Sequence, residues 1–164
     1  MQIARLTESD RPEIAAHLLR LDRDARQRRF GSGLKDSAVS AYAAKIDLVS
    51  GRLFGTFRQG RLIGLAEVFP EGHDGVVEAA FSVDTDQRGQ GIAAQLMDRV
   101  LEVAALEGYR TVVLYIQQAN APMRAVARKH GFALSLQDGD YVARRQVDAK
   151  AFLAGLKAVA PACA

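Results

Sequence analysis

Apolar and polar residues alternate from Gln2 to Leu6, which reads as a first strand. The period then lengthens. Ile14, His17, Leu18 and Leu21 share one helical face, with Ser9 or Asp10 as cap and Pro12 in the first turn. A basic loop, RDARQRRFGSG, is broken by Gly31 and Gly33. A second helix is expected from Asp36 or Ser37, carrying Val39, Tyr42, Ala43 and Ile46, and Gly51 ends the connection. RLFGTFR and RLIGLAEVF flank Gln59-Gly60 as a β-hairpin, PEGHDG is a turn region, and VVEAAFSV completes an antiparallel meander.

A helix from about Gly91 to Glu107 carries an apolar stripe of Ala93, Leu96, Met97, Val100, Leu101 and Ala104, and Gly108 stops it. TVVLYI is the next strand and APMRAVARKHG a short helix ending at Gly131. FALSLQ and DYVARRQ form two closing strands joined near Asp138-Gly139. A last helix is expected from about Asp148 to Val159, ahead of an Ala/Pro-rich tail over 160–164. The order predicts an α/β (α+β) fold over 1–164: one domain, a mixed and mostly antiparallel sheet, helices flanking it.

A chain of 164 residues suits one domain. The single cysteine, Cys163, lies in that tail, so no disulfide framework, Cys-rich metal site or catalytic thiol is expected, and no metal. No apolar run is long enough to span a bilayer, and MQIARLTESD lacks the profile of a secretory signal, so a cytoplasmic protein off the membrane is expected. The net charge of +3 is a mild bias toward anionic partners. It is too small to argue for nucleic acid and suits a phosphate-bearing cofactor. Arg23, Arg26, Arg28 and Arg29 have no interleaved aromatic beyond Phe30, and read as a solvated face or as a guide for an acidic acceptor or partner.

The chemistry concentrates in QRGQGIAAQLMDRV, where Gly89 and Gly91 open a helix. Glycines at a strand-to-helix junction let the backbone turn sharply and approach a ligand. The first helical turn has N–H groups without intrahelical partners at the positive end of the dipole, which makes an anion site. The donors are the amides of Arg88 through Ala93, with the Arg88 charge at the rim. A loop whose glycines only satisfy a tight turn is the plainer alternative. The P-loop ending Gly-Lys-Ser/Thr is absent. Gly89-Gln90-Gly91-Ile92-Ala93-Ala94 fits a relaxed dinucleotide pattern, but it follows a meander and the next strand ends in glutamines.

Arg88-Gly89-Gln90-Gly91-Ile92-Ala93 resembles the (Gln/Arg)-x-x-Gly-x-(Gly/Ala) motif of the GNAT superfamily of N-acetyltransferases. FSVDTDQRGQGIAAQLM looks like that family's fourth strand, pyrophosphate loop and helix, and NAPMRAVARKHGF like its fifth-strand exit and the helix ending in Gly-Phe. The element order matches over nearly the whole chain. RRFGSGLKDSAVSAY also resembles bacterial members related to protein-lysine acetyltransferases. The resemblance implies acetyl-CoA as donor, its pyrophosphate on the amides of Arg88, Gly89, Gln90, Gly91, Ile92 and Ala93. Its pantetheine would pair with the backbone of Phe81, Ser82 and Val83, and Asn120 would bind the pantetheine or a water, or simply cap the helix after it.

Acetylating an amine requires a neutral nitrogen, and a lysine-like amine with a pKa of about 10.4 must first lose a proton. Alternation puts Glu78 on one face with Ala80 and Ser82, and Val77, Ala79, Phe81 and Val83 on the other. Glu78 is therefore the candidate base, and the resemblance aligns a catalytic Glu there; a solvent-facing strand charge is the alternative. Glu67 is the second candidate or an outer-face charge, and His73 lies in a turn. Tyr115 and Tyr141 could donate a proton, with Tyr115 the catalytic candidate. The family's usual general-acid Tyr falls at Ala127 here. The backbone N–H of Val83 is the oxyanion candidate. The expected reaction is direct attack on the thioester by an amine acceptor, a protein lysine or small amine. A catalytically weak acyl-CoA-binding sensor or partner module is the rival reading. An exposed closing strand could pair two copies as a homodimer.

Overall fold

The computed structural model describes residues 2–72 and 75–152. In chain order the elements are β1 (Ile3–Arg5), α1 (Arg11–Arg20), α2 (Arg23–Phe30), α3 (Asp36–Lys45), β2 (Arg52–Arg58), β3 (Arg61–Glu71) and β4 (Val76–Val83). Then come α4 (Ile92–Leu106), β5 (Thr111–Ile116), α5 (Ala121–Lys129), β6 (Ala133–Gln137) and β7 (Asp140–Gln146). His73 and the part of the expected last helix that falls beyond residue 152 lie outside the described residues; helical turn is present at 149–152. No described helix is long and apolar enough to cross a membrane.

The strands form one sheet in the order β1-β2-β3-β4-β5-β7-β6. Every pairing is antiparallel except β4 with β5. The hairpin turns are as expected from sequence: Gln59 and Gly60 both take positive φ (50° and 76°), as do Asp138 and Gly139 (50° and 90°). That left-handed pair matches the twist of two-residue hairpins. Helices cover both faces. Phe54, Ala66, Val77, Val112 and Leu114 pack under α4 and α5, while Leu53, Leu62 and Leu65 pack under α1 and α3 with Ile14, Leu18 and Val39. Burial on both faces explains why β3 is buried without a break from Leu62 to Val68.

The stretch expected as a basic loop is instead α2, a third helix before the meander. Asp22 caps it, accepting from the Ala25 N–H at 2.7 Å, and Gly31 closes it in the left-handed region (φ 74°). Nor do its arginines form a solvated face throughout. Arg26 donates to the carbonyls of Leu19, Leu21 and Leu34 and pairs with Asp36 at 2.7 Å, so it serves chain ends that lack intrahelical partners. Arg29 is also buried, as described below. Asp10 takes the N-cap position of α1 as expected, but its side chain turns back to accept from the Thr7 N–H at 2.8 Å.

α4 approaches the sheet closely because Gly64 on β3 has no side chain. A Cβ built there would stand 2.5 Å from Ile92 Cγ2 and 3.3 Å from Leu96 Cδ1. Gly64→Ala is therefore expected to destabilise the protein by about 1–3 kcal/mol through overpacking, read as a lower urea midpoint at unchanged slope. An unchanged midpoint would show that α4 yields freely.

Candidate active site

The parallel ladder between β4 and β5 is short. It pairs Val76, Val77 and Glu78 with Thr111, Val112 and Val113, and stops there. Past Glu78 the strands splay, while β3 continues to pair with β4 through Val83. The Asp84 N–H donates to the Ile63 carbonyl at 2.9 Å. Because successive amides alternate in direction, Ser82 shares its main chain with Leu65, whereas Phe81 and Val83 turn theirs to the open edge. Side chains alternate as read from sequence: Val77 and Ala79 enter the α4 core with Phe81 and Val83 against it, and Ser82 faces α1.

A groove of about 540 Å³ follows this open edge, lined by Phe81, Ser82 and Val83, by Leu21, Ala25, Arg28 and Arg29, and by Asn120, Met123 and Val126. It ends at the glycine-rich loop. Gly89 and Gly91 take φ of 76° and 78°, and a Cβ on Gly89 would meet nothing within 4 Å. The first helix-opening bond runs from the Gln95 N–H to the Gly91 carbonyl. The amides of Gly89 through Ala93 donate no backbone hydrogen bond among the described residues. They form a cradle of free donors at a helix start, suited to a phosphate group. Ile92 is buried, so only its main chain serves the cradle, while Arg88 stands at the rim with Asp22 Oδ2 at 3.6 Å.

Charged side chains hold this end together. Asp84, nearly fully buried, meets Arg61 Nη2 at 2.7 Å, Arg20 Nε at 3.2 Å and His17 Nδ1 at 2.9 Å. Burial alone would raise its pKa, but His17, Arg61 and Arg20 hold it below the ordinary carboxylate range. His17 Nε2 lies 2.8 Å from Ser82 Oγ. His17 thus lies between Ser82 and Asp84, and with Arg20 it ties α1 to the end of β4. His17 is fully buried, and the Ser82 hydroxyl points toward α1. Arg58 supports the loop through Gln87 (2.5 Å) and Gln90 (3.0 Å).

A second cleft of about 410 Å³ adjoins the groove, lined by Glu78, Ala80 and Phe81, by Tyr115 and Gln117, and by Arg28 and Arg29. Glu78 is half-buried here, and its pKa is raised, chiefly by burial and then by Glu71 and Glu67, against the attraction of Arg29. Tyr115 reaches the same cleft, half exposed. Its hydroxyl donates to Glu71 Oε1 at 2.5 Å, and this bond leads in raising the phenol's pKa. Tyr141 is elsewhere, under the Arg124 guanidinium at 4.9 Å.

Glu67 is neither a free base nor an outer-face charge. It is buried and accepts from Arg29 Nη2 (2.5 Å), Arg29 Nε (3.1 Å) and Tyr42 Oη (2.7 Å). Burial would lower the Arg29 pKa, but Glu67 and Tyr42 outweigh it and the guanidinium stays firmly charged. Asn120 caps α5, accepting from the Met123 N–H at 3.3 Å, and lines both cavities. Ala127 is fully buried in the core, and α5 offers the groove only Pro122, Met123 and Val126 besides that cap. No metal-binding cluster occurs among the described residues.

The acetyltransferase (GNAT) family model matches residues 35–132, more than half of the chain. The chain belongs to the GNAT acetyltransferase family. Among solved structures it is similar to the GNAT domain of PAT from S. lividans, at 19% identity, TM-score 0.75, covering 88% of this chain and 89% of that one. It is similar to an acetyltransferase from Salmonella typhimurium solved with its cofactor acetyl-CoA, at 18% identity, TM-score 0.70, with coverage of 90% and 94%. These likenesses carry the GNAT fold. By sequence it resembles an L-methionine sulfoximine/L-methionine sulfone acetyltransferase of Pseudomonas aeruginosa, 37% identical over 67 residues, 41% of this chain. The match spans 39% of that relative's length.

Arg29 and Glu67 join α2 to β3 beneath both cavities of this GNAT fold. Arg29→Ala would strand a buried carboxylate and is expected to cost about 3–5 kcal/mol, whereas replacing both partners by Leu and Met should cost far less. Thermal unfolding of the two variants decides it; equal losses would show that packing rather than charge compensation sets the effect.

Proposed function

We propose that the protein is an acetyl-CoA-dependent N-acetyltransferase acting on a primary amine, a protein lysine or a small molecule. One observation carries this reading: an unpaired strand edge runs from a cradle of free amides to a half-buried carboxylate. The cofactor fits these residues in kind. The amides of Gly89 through Ala93, with Arg88, suit its pyrophosphate; the open main-chain groups of Phe81 and Val83, with Asn120 opposite, suit its pantetheine. The thioester then meets Glu78 where the groove and the cleft join.

The steps balance. Glu78 takes a proton from the ammonium, directly or through a water. The free amine attacks the thioester carbonyl, and the oxyanion is stabilised by a backbone N–H at the open edge, that of Val83 in our assignment. The C–S bond breaks and the amide forms as the nitrogen gives its second proton to solvent, while the thiolate leaves to gain a proton from solvent or from a nearby donor such as Tyr115. The raised pKa of Glu78 makes its carboxylate a better proton acceptor. The sensor reading draws on the α5 wall of the groove, which carries no hydroxyl to protonate the leaving sulfur. Cytoplasmic placement and pairing of two copies along β6, the last strand of the sheet, belong to the same proposal.

Calorimetry with coenzyme A, and coenzyme A release with an amine panel that includes L-methionine sulfone, test the reading. Glu78→Gln is expected to lower kcat by about 10²–10⁴-fold while coenzyme A still binds. Tight cofactor binding without turnover on any amine would favour the sensor, and no heat with coenzyme A would remove both readings.

The pH profile gives a separate check. The base works only when deprotonated, so kcat/KM for the wild type should fall on the acid side through a pKa above the ordinary carboxylate range, in the direction burial pushes Glu78. That limb should vanish in Glu78→Gln. Its persistence would assign the proton to another group.

A further inference from the structure

The charges lining the acceptor cleft cancel unequally. Arg29 is taken up by Glu67 and Tyr42. Asp140 accepts from the Gln118 N–H at 3.0 Å. Glu71, beyond the cleft wall, accepts from Tyr115. Two groups are left facing the space: the Glu78 carboxylate on β4 and the Arg28 guanidinium on α2. Among the described residues Arg28 makes no hydrogen bond or ion pair, and Asp22 acts on it only at longer range. Its neighbours Arg26 and Arg29 each have a carboxylate in contact.

Resting on the acyl-transfer reading above, we infer that the acceptor is a free α-amino acid, its carboxylate held by Arg28 and its amine turned to Glu78. A peptide lysine brings an amine on an apolar stem and nothing for Arg28; covering an unmatched guanidinium would cost its hydration. An α-amino acid brings an amine and a carboxylate one carbon apart. A guanidinium fork reads a carboxylate bidentately. The cleft, at about 410 Å³, is of small-molecule size. Arg28 lines both the groove and the cleft, so a carboxylate on it sits at their junction. The α-amine is then the nitrogen next to the thioester, and free lysine should be acetylated on its α-nitrogen. The side chain extends along the cleft toward Tyr115 and Gln117.

The test compares L-amino acids with their own carboxamides as acceptors in a coenzyme A release assay. Each pair keeps the side chain and the amine and differs in the carboxylate. Carboxamides carry the more acidic amine, which biases the comparison against the expected result. The wild type should prefer the acids by about 10–100-fold in kcat/KM, the range of a charge-assisted hydrogen bond. In Arg28→Gln that ratio should collapse toward one, with the amino-acid KM rising more than the acetyl-CoA KM, and Arg28→Lys should restore part of it. Wild-type turnover of carboxamides as fast as acids overturns the inference without needing any variant. So does an Arg28→Gln variant that weakens acetyl-CoA and leaves the ratio intact, which would make Arg28 a cofactor ligand. Turnover of lysine peptides but of no free amino acid overturns it while acyl transfer stands; no turnover on any amine removes both.

Discussion

The edge of β4 beyond Glu78 has a strand on one side only, and this constraint organises the molecule. A backbone amide or carbonyl away from water must find a partner, and leaving one without costs about 1–3 kcal/mol. Elsewhere in the sheet interior a neighbouring strand satisfies that need. Here β5 turns away to run with β7 along its whole length, from Thr111 to Ile116. The freed groups of Phe81 and Val83 need water or an extended ligand to stand in for the missing strand. The groove, the amide cradle at its end and the cleft beside Glu78 are three consequences of one divergence. The 3.8 Å step of the chain fixes their order.

A splayed sheet would close on itself unless something held its walls. Two buried carboxylates supply much of that hold. Asp84 fastens the end of β4 to α1 through His17 and Arg20 and to β3 through Arg61. Glu67 fastens β3 to α2 through Arg29, with Tyr42 of α3 completing the set. Buried pairs of this kind contribute little net stability over apolar residues, because desolvation offsets most of the attraction. Their effect is geometric. A lone charge left behind is costly, so α2 cannot drift from the sheet without breaking them. That keeps Arg28 over the cleft and Leu21 and Ala25 along the groove. Asp22 adds the last tie, capping α2 while accepting from Thr85 at 2.7 Å beside the glycine-rich loop.

Most of this was legible in the sequence where local chemistry decides structure. Alternation in VVEAAFSV gave the right faces, the two hairpin turns announced themselves by Gln-Gly and Asp-Gly, and Gly89 and Gly91 marked the cradle. The misses share one physical origin. A buried charge looks in sequence like a surface charge, since only its partner distinguishes them. Glu67 lies between Ala66 and Val68, and nothing local says that Arg29, thirty-eight positions earlier, neutralises it. The same blindness hides α2, for arginine-rich sequence has almost no apolar stripe; its signal lies in Asp22 and Gly31 as its two caps. Spacing puts His17 on the buried face of α1, yet spacing says nothing of its contacts with Ser82 and Asp84.

The α5 wall bears on how acid catalysis would work. Ala127 is packed into the core and does not line the groove. The α5 residues that do face the groove, Met123 and Val126, are apolar and donate nothing from their side chains. Tyr115, on the far wall of the cleft, is committed to Glu71, and a phenol whose pKa is raised parts with its proton less readily. The leaving group determines whether this matters. A thiol with a pKa of about 8.5 departs as a thiolate far more easily than an alcohol would as an alkoxide. Proton transfer to sulfur can then follow bond cleavage, with solvent as the source. What cannot be deferred is removing the proton from the incoming amine, because a protonated nitrogen has no lone pair to attack with. The demand falls on the base rather than on the acid, and in the proposed reaction it falls on the half-buried Glu78, whose pKa burial raises.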